Sequence, residues 1–191
     1  SYVIMQDRQQ TVNEHIYFLG TGVRMIELGK KQKLLVVKTV DFGIYLGEDR
    51  NAPQNERVLL PSKQVPEGTK AGDEIEVFIY KDSQDRLIAT TREPMLQVGQ
   101  TAVLKVKQVT RIGAFLDWGL EKDLLLPFKE QTAKVKKGDE VLVALYVDKS
   151  GRLCATMKVY EKLRTDSPYK KDDHVKGIIY ETSDNFGVFV A

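Results

Sequence analysis

The sequence has a single cysteine and only two histidines among its 191 residues, and these shortages exclude whole classes of chemistry. Cys154 has no second thiol to pair with, so an intramolecular disulfide is ruled out, and its alternating position before Ala155 predicts a buried, inert side chain. With His15 and His174 far apart in sequence, neither a zinc site nor a Cys/His nucleophile pair has credible ligands. The one Gly-x-Gly stretch, Gly20 to Gly22, lacks the Lys-Ser/Thr that a phosphate-cradling loop requires. Carboxylates that recur, Asp73 with Glu74 and Asp139 with Glu140, sit at loop-to-strand junctions and read as turn formers. No catalytic residue, metal or cofactor is therefore expected, and the chain reads as a binding protein rather than an enzyme. No apolar run approaches the roughly 20 residues of a membrane-spanning helix, and no signal peptide is evident, which predicts a cytoplasmic protein without membrane partners. Strong charge of one sign is also missing. A net charge of +2 and a pI near 8.5 fall short of an avid nucleic-acid binder and allow only modest affinity.

What the sequence does contain is itself, twice. The stretch from Leu28 to Leu46, LGKKQKLLVVKTVDFGIYL, lies over Val98 to Leu116, VGQTAVLKVKQVTRIGAFL, matching Gly29 to Gly99, Leu34 to Leu104, Val36 to Val106 and Gly43 to Gly113. Further on, RVLLPS lies over DLLLPF and AGDEIEVFIYKDSQDRLIAT over KGDEVLVALYVDKSGRLCAT, pairing Pro61 with Pro127, Tyr80 with Tyr146 and Arg86 with Arg152. A third copy opens at Val175 and places Gly187 over Gly113. Such self-similarity means duplicated structural units. At about 65 residues each, the units are close to the lower size limit for an independent core, so neighbours are expected to lean on each other. The expected organisation is residues 28–93 and 96–160 as two domains, 161–172 as a polar linker around Pro168, and 173–191 as a partial third domain. Residues 1–27 are assigned no role; NEHIYFLG resembles a protease-cleavable tag, so part of this segment is a candidate for non-native sequence.

Within a unit, apolar residues alternate with period two, as in Leu34, Val36 and Val40 or Ile75, Val77 and Ile79, and Gly/Asp/Asn clusters interrupt them. This predicts five strands, near 32–40, 43–47, 57–61, 74–81 and 86–91 in the first copy, with a short turn after Pro61. The fold class is all-β, tandem five-stranded barrels of the OB type.

Three features recur in register: Phe42-Gly43-x-Tyr45, Ile112-Gly113-x-Phe115 and Phe186-Gly187-x-Phe189 on the second strand; a Gly-Asp pair before the fourth; and Asp82 or Asp148 four residues before Arg86 or Arg152 at the fifth. On these residues the chain, from Leu28 to Ala191, resembles the S1 RNA-binding domain. The third strands depart from that family's GLVHIS, placing Leu60 and Leu126 where its RNA-facing histidine stands. Leu-Leu-Pro there is similar to the bacterial conserved virulence factor B group, which implies three S1-like domains followed by a winged helix, with this chain ending inside the third.

A glycine between two large side chains permits a bend that turns both outward, forming a platform on which bases stack. The candidate RNA-binding residues are the rings Phe42, Tyr45, Phe115, Phe186 and Phe189. The candidate cations are Lys38, Lys105, Lys107 and Arg111 around strand two, with Arg86 and Arg152 entering strand five beside it. Against this, each ring could be ordinary core, and Asp82–Arg86 and Asp148–Arg152 could merely close hairpins through exposed ion pairs. Trp118 and Phe128 are candidates to widen the second surface, although a Trp just after a barrel strand more often packs at the rim. The basic runs at 134–137, 162–164 and 170–171 read first as solvated surface. The resemblance implies single-stranded RNA as partner and a role in bacterial gene expression. The alternative is a scaffold for proteins of the gene-expression machinery, docking through Leu59, Leu60, Leu125 and Leu126. An incomplete third repeat also offers an unpaired edge for self-association.

Overall fold

A computed structural model describes residues 26–162, 179–183 and 187–190. The linker and most of the partial third repeat, including the basic runs at 162–164 and 170–171, fall wholly or largely outside these residues. The alternating segments form strands where the sequence predicts them: β1 (Lys31–Val40), β2 (Gly43–Gly47), β3 (Val58–Pro61), β4 (Glu74–Lys81) and β5 (Leu87–Thr90). The second copy repeats them as β6 (Thr101–Thr110), β7 (Gly113–Asp117), β8 (Leu124–Pro127), β9 (Glu140–Val147) and β10 (Leu153–Thr156). Each set closes into a barrel, ordered β1-β2-β3-β5-β4 in the first and its equivalent in the second, which removes free sheet edges. The described helical residues form short 3-10 turns, and no helix among the described residues is long and apolar enough to cross a membrane.

Period two decides which side chains fill the barrels. Leu34, Val36, Ile44, Leu46, Val58, Leu60, Val77, Ile79 and Ala89 form the first core, and Leu104, Val106, Ala114, Leu116, Leu124, Leu126, Val143, Leu145 and Ala155 take the same places in the second. The expected bend is present, but the register shift lies in the first strand of each barrel, between Val36 and Lys38 and between Val106 and Gln108. Gly43 and Gly113 serve a different need. Each starts its second strand at positive φ, 154° and 149°, where a Cβ would stand 2.2 Å and 2.3 Å from the carbonyl oxygens of Leu60 and Leu126.

The barrels are joined by an apolar seam. Val77 and Ile79 of β4 point into the first core, so Phe78 and Tyr80 point out of it, and both are buried against the second barrel. Phe78 meets Trp118 edge-on at 5.7 Å between ring centroids and Tyr80 does so at 6.4 Å. Trp118 is 2% exposed and its indole N–H donates to the Lys122 carbonyl at 2.6 Å. Burial, with the negative charge of Glu121 nearby, pushes the Tyr80 hydroxyl above its usual pKa. Polar ties surround the rings. Val98 N donates to Gly29 O, Met95 N to Trp118 O, and the Lys122 ammonium to Asp82 O. Trp118 thus belongs to the joint between domains and does not widen a binding surface. Mutual support between the small barrels, expected from their size, is realised through these contacts.

A further strand pair, β11 (Ile179–Ser183) and β12 (Gly187–Val190), is antiparallel, with a register shift between Ile179 and Glu181 that matches the shifts in the first strands of the barrels.

Candidate nucleic-acid interface

The outer face of each barrel carries one cross-strand row. In the first it runs Lys38, Tyr45, Leu59, Ile88 and Tyr80, each directly opposite the next. In the second it runs Gln108, Phe115, Leu125, Cys154 and Tyr146. Both rows are open at the first-strand end: Lys38 and Gln108 are exposed, and the rings of Tyr45 and Phe115 are half-buried. Further round, the first row closes at the seam, where Tyr80 is buried, and the second passes through the buried Cys154. Burial pushes the Cys154 thiol up to about 11, so it stays protonated and unreactive.

Phe42 lies in the turn ahead of β2 and is 58% exposed. It meets Tyr45 edge-on, with ring centroids 6.4 Å apart. Both rings therefore sit on the outside, as the Phe-Gly-x-Tyr pattern predicts. In the second barrel Phe115 holds the Tyr45 position, but exposed Ile112 stands where Phe42 would be. Phe186 lies outside the described residues. Phe189 is on β12 opposite Glu181, the place that Lys38 holds opposite Tyr45.

The cations divide into free and engaged groups. Lys38 is exposed opposite Tyr45, and Lys105 and Arg111 are exposed, with none of the three in an ion pair among the described residues. Lys107 is paired with Asp123 at 2.8 Å. Arg86 grips Asp82 through Nε at 2.9 Å and Nη2 at 2.8 Å. Arg152 closes its own hairpin through its backbone alone, while its guanidinium reaches Asp85 of the first repeat at 2.7 Å and ties the barrels together. Burial alone would raise the Asp82 and Asp148 carboxyls, but hydrogen bonds outweigh it and hold both below the ordinary range: from Arg86 and Gln84 on Asp82, and from Ser150 and Arg152 on Asp148.

Two expectations about placement are corrected. Strand five is not beside strand two, because β3 lies between them. Leu59 stands opposite Ile88 in parallel register, and Ser62 N donates to Phe42 O, so Arg86 lies level with residue 57 and Phe42 level with residue 62. Along the strand direction this separates them by roughly 15 Å. Arg86 therefore does not stand beside Phe42, and the Arg86 and Arg152 guanidinia are engaged by Asp82 and Asp85. The second correction concerns Leu60 and Leu126, which are 0% exposed and fill the cores. They present nothing to RNA and cannot form an apolar docking patch, which leaves only half-buried Leu59 and Leu125 on that strand's outer side.

Two exposed cations at the exits of the third strands are not among the residues singled out from the sequence. Lys63 follows Ser62, whose amide is bonded to Phe42 O at 3.0 Å, and Lys129 occupies the same place in the second barrel. Both are exposed and in no ion pair among the described residues. Their recurrence directly after Pro-Ser and Pro-Phe was the available signal.

Two barrels with this strand order define the class, a tandem pair of OB folds with partly exposed aromatic faces. Comparison with known families agrees: the S1 domain matches residues 28–92 and again 98–158. The chain belongs to the S1 domain family, whose barrels are nucleic-acid-binding modules. It is 33% identical over 134 residues to the YitL protein of Bacillus subtilis, covering 66% of this chain and 43% of the relative. To conserved virulence factor B of Staphylococcus aureus (strain bovine RF122 / ET3-1) it is 31% identical over 140 residues, covering 68% of this chain and 45% of the relative. It therefore spans less than half the length of these curated relatives. Among solved structures, a multidomain protein with nucleic acid binding domains from Streptococcus pneumoniae superposes with a TM-score of 0.57 at 22% identity, covering 85% of this chain and 58% of that one, which supports the fold.

Proposed function

We propose that the two barrels bind single-stranded RNA with little sequence preference, through the rings at the start of their second strands, in the regulation of bacterial gene expression. The observation that carries this reading is the Phe42–Tyr45 pair, edge-on at the surface with Lys38 opposite Tyr45 and with exposed Lys63 following Ser62, whose amide bonds to Phe42 O. Ring faces offer stacking to any base, and the flanking ammonium groups meet phosphates, a combination that is tolerant of sequence. Family membership and the nucleic-acid-binding description of the Streptococcus pneumoniae neighbour are consistent with it. Neutralising two to four phosphates gives a salt slope of about −1.4 to −2.8, so raising salt fourfold weakens binding by about 7- to 50-fold.

The test is a titration of fluorescent oligouridine with the whole chain at two salt concentrations. Phe42→Ala is expected to weaken binding by about 5- to 160-fold, the loss of one stacked base at about 1–3 kcal/mol. Absence of saturable binding at tens of micromolar protein, or an unchanged Phe42→Ala variant, refutes the reading.

A further inference from the structure

In the first barrel the outer ring is Phe42, ahead of Gly43, and the residue across from it at the exit of β3 is Ser62. In the second barrel Gly113 pairs with Pro127 just as Gly43 pairs with Pro61, so Ile112 and Phe128 occupy the same two places. The ring has changed sides. Phe-then-Ser in one repeat is Ile-then-Phe in the other, and Phe128 is 51% exposed beside an Ile112 that is 55% exposed.

We propose that Phe128 is the outer stacking ring of the second barrel, taking the place left by Ile112, with the phosphate beside the stacked base held by Arg111 and Lys129. This rests on the single-stranded RNA reading above and adds a residue and a location to it.

The turn that carries Phe128 is firmly held, as a stacking platform must be. Pro127 fixes the approach with φ at −60°. Gln131 N donates to Phe128 O at 3.1 Å, and its side-chain amide donates to Leu126 O at 3.3 Å. Between them, Glu130 is fastened to the end of β10: Thr156 Oγ1 donates to its carboxylate at 2.7 Å and Met157 N to its carbonyl at 2.9 Å. The equivalent turn in the first barrel is fastened at the same residue, with Thr90 Oγ1 and Thr91 N donating to the Gln64 side-chain oxygen and Thr91 Oγ1 to the Gln64 carbonyl. The fixed point is common to both repeats; only the side of the ring differs.

Charge favours the same place. Arg111 and Lys129 are exposed and in no ion pair among the described residues. In the first barrel the residue matching Arg111 is Asp41, and Gln108 of the second matches Lys38, so the first surface carries two lysines and an aspartate where the second carries two cations and no anion. A lone exposed Phe is commonplace. An exposed Phe next to an exposed Ile and two unengaged cations, on a turn pinned at both ends, has the composition of a nucleotide-binding edge.

The experiment titrates the full chain with oligouridine of roughly 12 nucleotides, enough to occupy one barrel surface. Phe128→Ala is expected to weaken binding about tenfold, while Phe128→Tyr stays within about twofold of the parent. The decisive variant is the double change Ile112→Phe with Phe128→Ser, which recreates the first barrel's arrangement and should restore most of the affinity lost in Phe128→Ala. Both positions are exposed, so circular dichroism should show unaltered folding. If Phe128→Ala binds like the parent while Phe42→Ala is weakened, the exchange is wrong and the wider RNA reading stands. A double variant as weak as Phe128→Ala also overturns the exchange. If the parent chain binds no oligouridine, both readings fall together.

Discussion

Replacing Trp118 tests whether the joint between the barrels is held by its apolar rings or by its ion pairs. Trp118→Ala removes an indole that is 2% exposed and touches both Phe78 and Tyr80 edge-on. Large-to-small changes of this kind cost about 3–5 kcal/mol. At about 2–4 °C per kcal/mol for a unit of this size, the thermal midpoint should fall by about 6–20 °C. Trp118→Phe keeps most of the ring contact and leaves the Lys122 carbonyl without its indole donor, a loss of about 1–2 kcal/mol or roughly 2–8 °C. Asp85→Asn removes the charge opposite Arg152, but both side chains are largely exposed, at 43% and 60%, so the midpoint should stay within about 2 °C. Differential scanning calorimetry on the three variants gives the ordering. It also reads cooperativity: the parent should melt in one transition, and Trp118→Ala should separate into two as each barrel loses its neighbour. If Asp85→Asn costs as much as Trp118→Ala, or if Trp118→Ala moves the midpoint by less than about 2 °C, the claim of an apolar joint is refuted.

Other expectations are simpler. Gly113→Ala would drive a methyl to 2.3 Å from the Leu126 carbonyl oxygen at a φ of 149°, so it should destabilise by about 3 kcal/mol or more, readable in urea unfolding. Asp82 and Asp148 have carboxyl pKa values depressed in the folded state, so their contribution is present above the ordinary value of 3.8 and is lost as pH falls through the lower folded values. The urea midpoint should therefore drop below about pH 4, and Asp82→Asn should flatten that drop. Cys154, buried with its thiol raised to about 11, should resist maleimide at neutral pH and react once the chain is unfolded.

The barrels were legible in the sequence because each rests on local pattern. Alternation marked Leu34, Val36, Val77 and Ile79 as inward-facing but not the register shift after Val36, which leaves Val40 out of the core, and the clustered turn residues set strand limits to within about one or two positions. What escaped was everything that depends on which segments meet. The row Tyr45, Leu59, Ile88 shows that β3 intervenes between β2 and β5, and no periodicity in one strand reports its neighbour. Arg152 had Asp148 four residues away, yet it takes Asp85 across the seam, because the Asp148 carboxylate is already engaged by Ser150 and the Arg152 amide. Trp118 looked like a rim residue in isolation; only the second barrel's position against Phe78 and Tyr80 makes it a joint. Leu60 was read from the family's histidine position, whereas the pleat of β3 turns it inward between Leu59 and Pro61.

The seam at Gly29 and Val98 leaves no slack: a Cβ on Gly29 would come within 2.4 Å of Val98 Cγ2, and the two backbones are hydrogen-bonded. Connected this tightly, the barrels act as a ruler more than as beads on a string. On the proposed RNA-binding reading, a strand settled on one face would find the other at a set distance and bearing, so its second attachment would be an intramolecular event whose effective concentration is dictated by geometry. Ligands too short for that span gain nothing from the duplication, and those that fit gain avidity without any further contact being made.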